Sequence, residues 1–229
     1  MVMLSKKNQF KYVILEKNGI TSSPYLHEYT QAYLFWKKTW KTIFNDVGSP
    51  EAFLIDDFYR QDLIPAIIFR NQVIACHLST VFDFKNPVVK EMRYFSIFDG
   101  ALDWVQRNSA EKVLSIEFLA VHPNWRNQGK GFSFAETLIS LAFELMKQKQ
   151  IGAAVGVTVK AAKVDEMARD LSCAVLSKGV KRGNLICDIM GQTLDNVHPP
   201  RSRQVVEFVE YLWSHHENSN RFKHLRKVA

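Results

Sequence analysis

The sequence predicts an α+β domain, and three observations carry the prediction. Apolar runs rich in β-formers alternate along the chain with stretches whose apolar residues recur every three or four positions. One run, KVLSIEFLAV at Lys112–Val121, is almost continuously apolar, as a strand buried on both faces would be. Directly after it, the stretch H-P-N-W-R-N-Q-G-K-G-F-S leads through two glycines into an amphipathic helix.

The elements follow in order. Phe10–Glu16 reads as a first strand, stopped by Asn18-Gly19. Tyr29, Tyr33, Trp36, Trp40 and Ile43 then fall at helical spacing ahead of Gly48, which gives an amphipathic helix with an aromatic stripe. Such a stripe is a core face far more often than a binding platform, and the core reading is preferred. Leu63–Phe69 and residues 72–82 form a β-hairpin joined by Arg70-Asn71. Residues 95–107 suit a helix, although Gly100 sits in its middle. After Lys112–Val121, the face Ala135, Leu138, Ile139, Ala142, Leu145, Met146 marks a helix from Gly131 to about Gln148. Residues 151–160 read as a strand full of Gly and Ala, and 162–171 as a short helix. Two late strands follow at 173–178 and 184–190, with Lys181-Arg182-Gly183 between them. Val205, Phe208, Val209, Leu212 and Trp213 mark a closing helix over 204–216, and RFKHLRKVA ends the chain as a basic tail. We expect one domain over 1–196, with 197–229 as an added helix and tail.

Composition excludes several classes. At 229 residues the chain can bury a sizeable core. No stretch approaches the roughly eighteen uninterrupted apolar residues of a membrane span, and the N-terminus lacks the apolar segment of a secretion signal, so we expect a cytoplasmic protein. Three widely spaced cysteines, Cys76, Cys173 and Cys187, argue against a disulfide framework or a zinc site. A net charge of +7 favours anionic partners without choosing among them. The basic residues are scattered and no nucleic-acid-reading motif is present, so neither nucleic acid nor membrane is expected as a partner.

Chemistry concentrates where Lys112–Val121 meets the following helix. Backbone N–H groups at a helix start lack intrahelical partners and the helix dipole is positive there, which suits an anion. Gly129 and Gly131 allow the amides of residues 128–132 to turn around a phosphate, and Arg126 and Lys130 add positive charge. Neither G-x-x-x-x-G-K-[ST] nor G-x-G-x-x-G is met. A glycine-bearing turn before a helix is by itself a weak signal.

The run L-A-V-H-P-N-W-R-N-Q-G-K-G-F-S resembles the acetyl-CoA motif of the GNAT N-acetyltransferase superfamily, a strand ending V-x-P followed by [RQ]-x-x-G-x-[GA] at a helix start. Val121, Pro123, Arg126, Gly129 and Gly131 fill its positions, and the element order agrees over most of the chain. The resemblance implies a mixed β-sheet flanked by helices, in which two parallel central strands, Lys112–Val121 and residues 151–160, splay into a wedge. In that wedge Leu119 and Val121 would pair with the pantetheine arm of acetyl-CoA, and Arg126, Asn127, Gln128, Gly129, Lys130, Gly131 and Phe132 would hold its pyrophosphate. Ala153, Ala154 and Gly156 suit a strand that admits a ligand, and equally suit plain close packing.

The resemblance implies direct acyl transfer to an amine, a small molecule or a peptide, which must lose a proton to attack. Glu117 is the candidate base: it lies four residues before Val121, hence on the same strand face, and a lone acid in an apolar strand is costly unless functional or paired with a lysine or arginine. For the acid, family members often carry N-x-x-A-x-x-L-Y on the helix after the second splayed strand; here Asp165 replaces the asparagine and Ser172 the tyrosine. Cys173, a tyrosine from elsewhere, or water could serve instead. His122 reads as an exposed turn residue and His215-His216 as solvated surface. Two rivals stand beside a transferase: a CoA-binding or nucleic-acid-associated module without turnover, and an acyl-homoserine-lactone-type synthase. The terminal helix could cap the site or form a homodimer contact.

Overall fold

A computed structural model describes residues 4–18, 20–97, 100–126 and 131–219. Among these, nine strands form one sheet: β1 (Phe10–Glu16), β2 (Leu63–Phe69), β3 (Gln72–Leu78), β4 (Val81–Asp83), β5 (Lys112–Val121), β6 (Ala153–Val159), β7 (Ala174–Arg182), β8 (Leu185–Thr193) and β9 (Glu217–Asn218). Their order is β7-β8-β6-β5-β3-β2-β1-β9, with β4 beside the start of β5. Only β5 with β6 and β1 with β9 run parallel; the sheet is mixed, as expected.

The helices are α1 (Leu26–Asp46), α2 (Asp56–Tyr59), α3 (Arg93–Ile97), α4 (Ala101–Arg107), α5 (Phe134–Lys149), α6 (Val164–Asp170) and α7 (Arg203–Ser214). One core cluster lies under α5 and α7, where Leu138, Leu141 and Leu145 meet Phe208 and Leu212. A second lies under α1 and α2, where Trp36, Trp40 and Phe44 meet Phe58 and Phe118. A third packs α3 and α4 against β6 and β8 through Phe95, Val105, Val155 and Ile189. The aromatic stripe of α1 is therefore core: Trp36 and Trp40 are buried, while Tyr29 and Tyr33 lie half-buried against Phe58. None of the helices searched among the described residues is long and apolar enough to cross a membrane.

Three expectations need revision, and one strand was not anticipated. The predicted arm 72–82 breaks after Leu78, and the chain crosses over so that Val81–Asp83 pairs with Leu114, Val113 and Lys112 of β5. The Ser115 hydroxyl stabilises the crossing by accepting from Thr80 N at 2.8 Å. The helix expected over 95–107 divides into α3 and α4, because Gly100 takes φ 79° and starts α4 anew. The turn expected at Lys181-Arg182-Gly183 lies later: Arg182 pairs with Leu185 across Gly183-Asn184, which places Arg182 in the sheet. The unanticipated strand is β9, which lies parallel to β1 after α7. By contrast, the Arg70-Asn71 turn is as expected, both residues taking the positive φ (48° and 67°) that matches strand twist. The apolar face of α7 is used inside its own domain, where Val205, Phe208 and Leu212 are fully buried.

Candidate functional site

The site is made by a parting of β5 and β6. They pair in parallel from Val113–Ala153 to Ile116–Gly156 and no further. Beyond that rung β5 leans to β3, through Ala120–Cys76 and Val121–Ala75, while β6 stays on β8 up to Val159–Cys187. The parting coincides with a bulge. Phe118 has φ 52°, a left-handed conformation costly for an aromatic residue, and the register with β3 shifts beside it. Gly156 sits at the crotch, where a Cβ would come within 3.0 Å of the Ile116 carbonyl oxygen. The side chain is absent where the two backbones come closest.

An apolar cleft opens between α5, α6 and the parting strands. Ile116 and Leu119 of β5, Ile139 and Phe143 of α5, Gly156 to Thr158 of β6, and Ala168, Cys173 and Met190 line it. Leu119, assigned to the cofactor from the sequence, is among them; Val121 is half-buried on the same face. Ala154 also lines the cleft, whereas Ala153 is packed into the third cluster.

Ser133 caps α5 by accepting from Glu136 N at 3.2 Å, and its hydroxyl lies 4.0 Å from Met167 Sδ of α6. Gly131 takes φ 89°, which a residue with a side chain adopts only under strain. Its carbonyl accepts from the Ser202 hydroxyl, so the segment entering α7 touches the loop ahead of α5. The Phe132 ring is buried against Phe134 and Phe208, at 5.1 and 5.4 Å between centroids, which fixes the residue after Gly131. The exposed Arg126 side chain folds back so that Nε donates to the Val121 carbonyl at 2.9 Å. Asn127, Gln128, Gly129 and Lys130, the middle of the sequence-derived cradle, lie outside the described residues.

The bulge also changes which way Glu117 points. Leu114, Ile116, Leu119 and Val121 all pack on the α5 side, whereas Phe118 and Ala120 pack on the α1 side, so alternation reverses between Ile116 and Leu119. The expectation that Glu117 shares a face with Val121 is thereby corrected, because one extra residue flips the pattern. Glu117 is buried on the α1 side. Its Oε2 lies 3.4 Å from Arg182 Nη1 of β7, and Arg182 Nη2 lies 3.1 Å from Asp57 Oδ2 of α2. The same guanidinium stands 4.0 Å from the centroid of the Phe118 ring. Arg60 pairs with Asp57 too. Burial pushes the Glu117 pKa up; Arg182 and the Tyr94 hydroxyl oppose it, and Asp57 adds to the rise. Burial likewise lifts Tyr94 well above the ordinary phenol range, with the Glu117 charge contributing.

Ser172 stands in the turn after α6, exposed, with φ 67° and its N–H donating to the Arg169 carbonyl at 2.9 Å. It is not among the residues lining the cleft, whereas neighbouring Cys173 is. Burial pushes the Cys173 thiol up to about 12. Asp165, in place of the family asparagine, is buried and paired with Arg169 at 2.8 Å. His122 is half-buried rather than exposed, its Nδ1 accepting from Asn124 N at 3.3 Å and its ring facing Phe35. His215 is exposed as expected, but His216 stacks on Trp213 at 4.4 Å.

Asp57, Tyr94 and Arg182 escaped the sequence reading. Arg182 was assigned to a turn, and Asp57 and Tyr94 lie in segments with no periodic signal; only the fold brings them to Glu117.

No known family profile matches the sequence, and no curated protein matches it. Solved structures do match by shape. An acyl-CoA N-acyltransferase from Pseudomonas aeruginosa aligns with TM-score 0.53 over 80% of this chain and 99% of its own, at 9% identity. FeeM, an N-acyl amino acid synthase from uncultured soil microbes, aligns with TM-score 0.51 over 73% of this chain and 85% of its own, also at 9% identity. The chain has the GNAT fold. In a GNAT fold the parting of β5 and β6 is the feature the sequence motif anticipated, and here it coincides with the apolar cleft and with an acid on the opposite face. At this level of identity the GNAT likeness concerns fold; the chemistry must be argued from the residues.

Proposed function

We propose that this protein is an acyl-CoA-dependent N-acyltransferase that moves an acetyl group directly from acetyl-CoA to a primary amine. The wedge between β5 and β6 carries the reading. It opens beyond the Ile116–Gly156 rung onto an apolar cleft that Ile139 and Phe143 of α5 help to line.

The residues fit such a donor. Leu119 and Val121 lie on β5 beyond its last rung with β6, in position to pair with an amide-bearing arm. Arg126, Gly131 and Phe132, with Asn127, Gln128, Gly129 and Lys130, would hold the pyrophosphate at the start of α5. Acetyl-CoA supplies an activated thioester carbonyl; the chain orients it, keeps water from it and manages protons. Glu117, on the α1 side of the same strand, takes the proton from the amine directly or through a water. Its raised pKa brings the carboxylate nearer to neutral pH, as a base requires. Ser172 occupies the family's tyrosine position but is exposed and off the cleft lining, so we assign protonation of the departing thiolate to solvent. A cytoplasmic site accords with the three free cysteines.

Release of free thiol from acetyl-CoA, followed across a panel of amines, tests the proposal. Burial pushes the protein's own cysteines up to about 11 or 12, so a thiol reagent reports chiefly on released CoA. Amine-dependent release is the expected result. Tight CoA binding with no turnover for any amine would return the binding-module reading.

A further inference from the structure

Arg182 is the point where Glu117 is tied to the rest of the molecule. Its guanidinium spans two buried acids, 3.4 Å from Glu117 on β5 and 3.1 Å from Asp57 on α2, and lies against Phe118 at the bulge. Asp57 has a second cation in Arg60, whereas the described ion pairs give Glu117 Arg182 alone. The other titratable groups around Glu117 are Tyr94 of α3 and Cys187 of β8, neither of which brings positive charge. A planar fork presents fixed donors to both carboxylates at once, a geometry that the point charge of a lysine does not reproduce. A carboxylate buried without a cation takes up a proton, and a protonated acid cannot act as a base.

We infer that Arg182 is a positioning residue for the proposed transfer: fixed between Asp57 and Glu117, it holds the Glu117 carboxylate ionised and aimed on the α1 side of the bulge. The inference rests on the reading of Glu117 as base. It also makes β7 and α2, which carry neither the cleft nor the phosphate loop, part of the catalytic apparatus.

The test follows the carboxyl titration of Glu117 by carbon-13 NMR and the pH profile of kcat/KM in wild type, Arg182→Gln, Arg182→Lys, Asp57→Asn and Glu117→Gln. In R182Q the Glu117 titration and the acidic limb of the profile should both move up by about 1 to 3 pH units, with KM for acetyl-CoA unchanged. R182K should show a smaller upward move and recover part of kcat. D57N, which removes a repelling charge, should move the titration down. An unmoved titration in R182Q, with E117Q inactive, overturns the role of Arg182 and leaves Glu117 as base. Full activity in E117Q defeats the base assignment and this inference together. Should R182Q not fold, wild-type titration and kcat in R182K would overturn it.

Discussion

The indole N–H of Trp40 donates to the carbonyl of Phe118 at 2.9 Å, in the buried layer between α1 and β5. The bond satisfies a carbonyl at the bulge and braces the backbone where β5 leaves β6. Aromatic contacts add to it: the Phe118 ring meets Trp40 and Trp36 edge-on at 5.1 and 5.7 Å.

Trp40→Phe keeps an aromatic ring and removes the donor. With a buried carbonyl left unpartnered, thermal or denaturant unfolding should show a loss of about 1 to 3 kcal/mol. Because the bulge sets the wedge, acetyl-CoA affinity should fall as well. A variant that loses stability and binds as wild type would separate the bulge from the site.

Gly156→Val places branched carbon against the Ile116 carbonyl, where even a Cβ would sit at 3.0 Å, and projects into the cleft. Titration calorimetry should show CoA affinity reduced by at least about tenfold, or 1.4 kcal/mol. Far-UV circular dichroism should remain close to wild type, while the crowding against the Ile116 backbone lowers the unfolding midpoint.

Glu117→Gln keeps the size of the side chain and removes the base. Turnover should fall by about 10² to 10⁴-fold while the dissociation constant for acetyl-CoA changes little. A loss confined to stability would remove Glu117 from the chemistry.

His77 gives the fold a pH dependence remote from the proposed chemistry. It is fully buried on β3, its Nδ1 is 3.0 Å from the Ser79 hydroxyl, and burial lowers its pKa to about 4. The unfolded chain binds the proton near the ordinary 6.5, so the folded state is fully favoured above that pH and loses ground as pH falls toward 4. The loss should reach roughly 3 kcal/mol across that window. Denaturant titrations from pH 7 to 4 should show the slope in wild type and a flatter one in His77→Gln, whatever that variant does to absolute stability.

Much of the fold was legible because the signals are local. FKYVILE and KVLSIEFLAV match β1 and β5 end to end, and the periodic face from Ala135 to Met146 lies within α5. Arg126, Gly129 and Gly131 carry the motif whose resemblance pointed to the GNAT fold. Three of the departures share one cause. The break after Leu78, the inward placement of Arg182 and the reversed face of Glu117 each depend on a bulge or crossing set by a neighbouring strand. A single strand's pattern does not record such a shift, since one inserted residue costs the sequence nothing and inverts every side chain beyond it.

The sequence by itself therefore determined the class of fold and the order of most of its elements, because period and turn chemistry act over a few residues. The tertiary structure alone decided where β5 and β6 part, after Ile116–Gly156, that Glu117 faces α1 rather than α5, and that Asp57 and Arg182 enclose it. Those relations join residues up to 125 positions apart, and only packing against the rest of the chain brings them into contact.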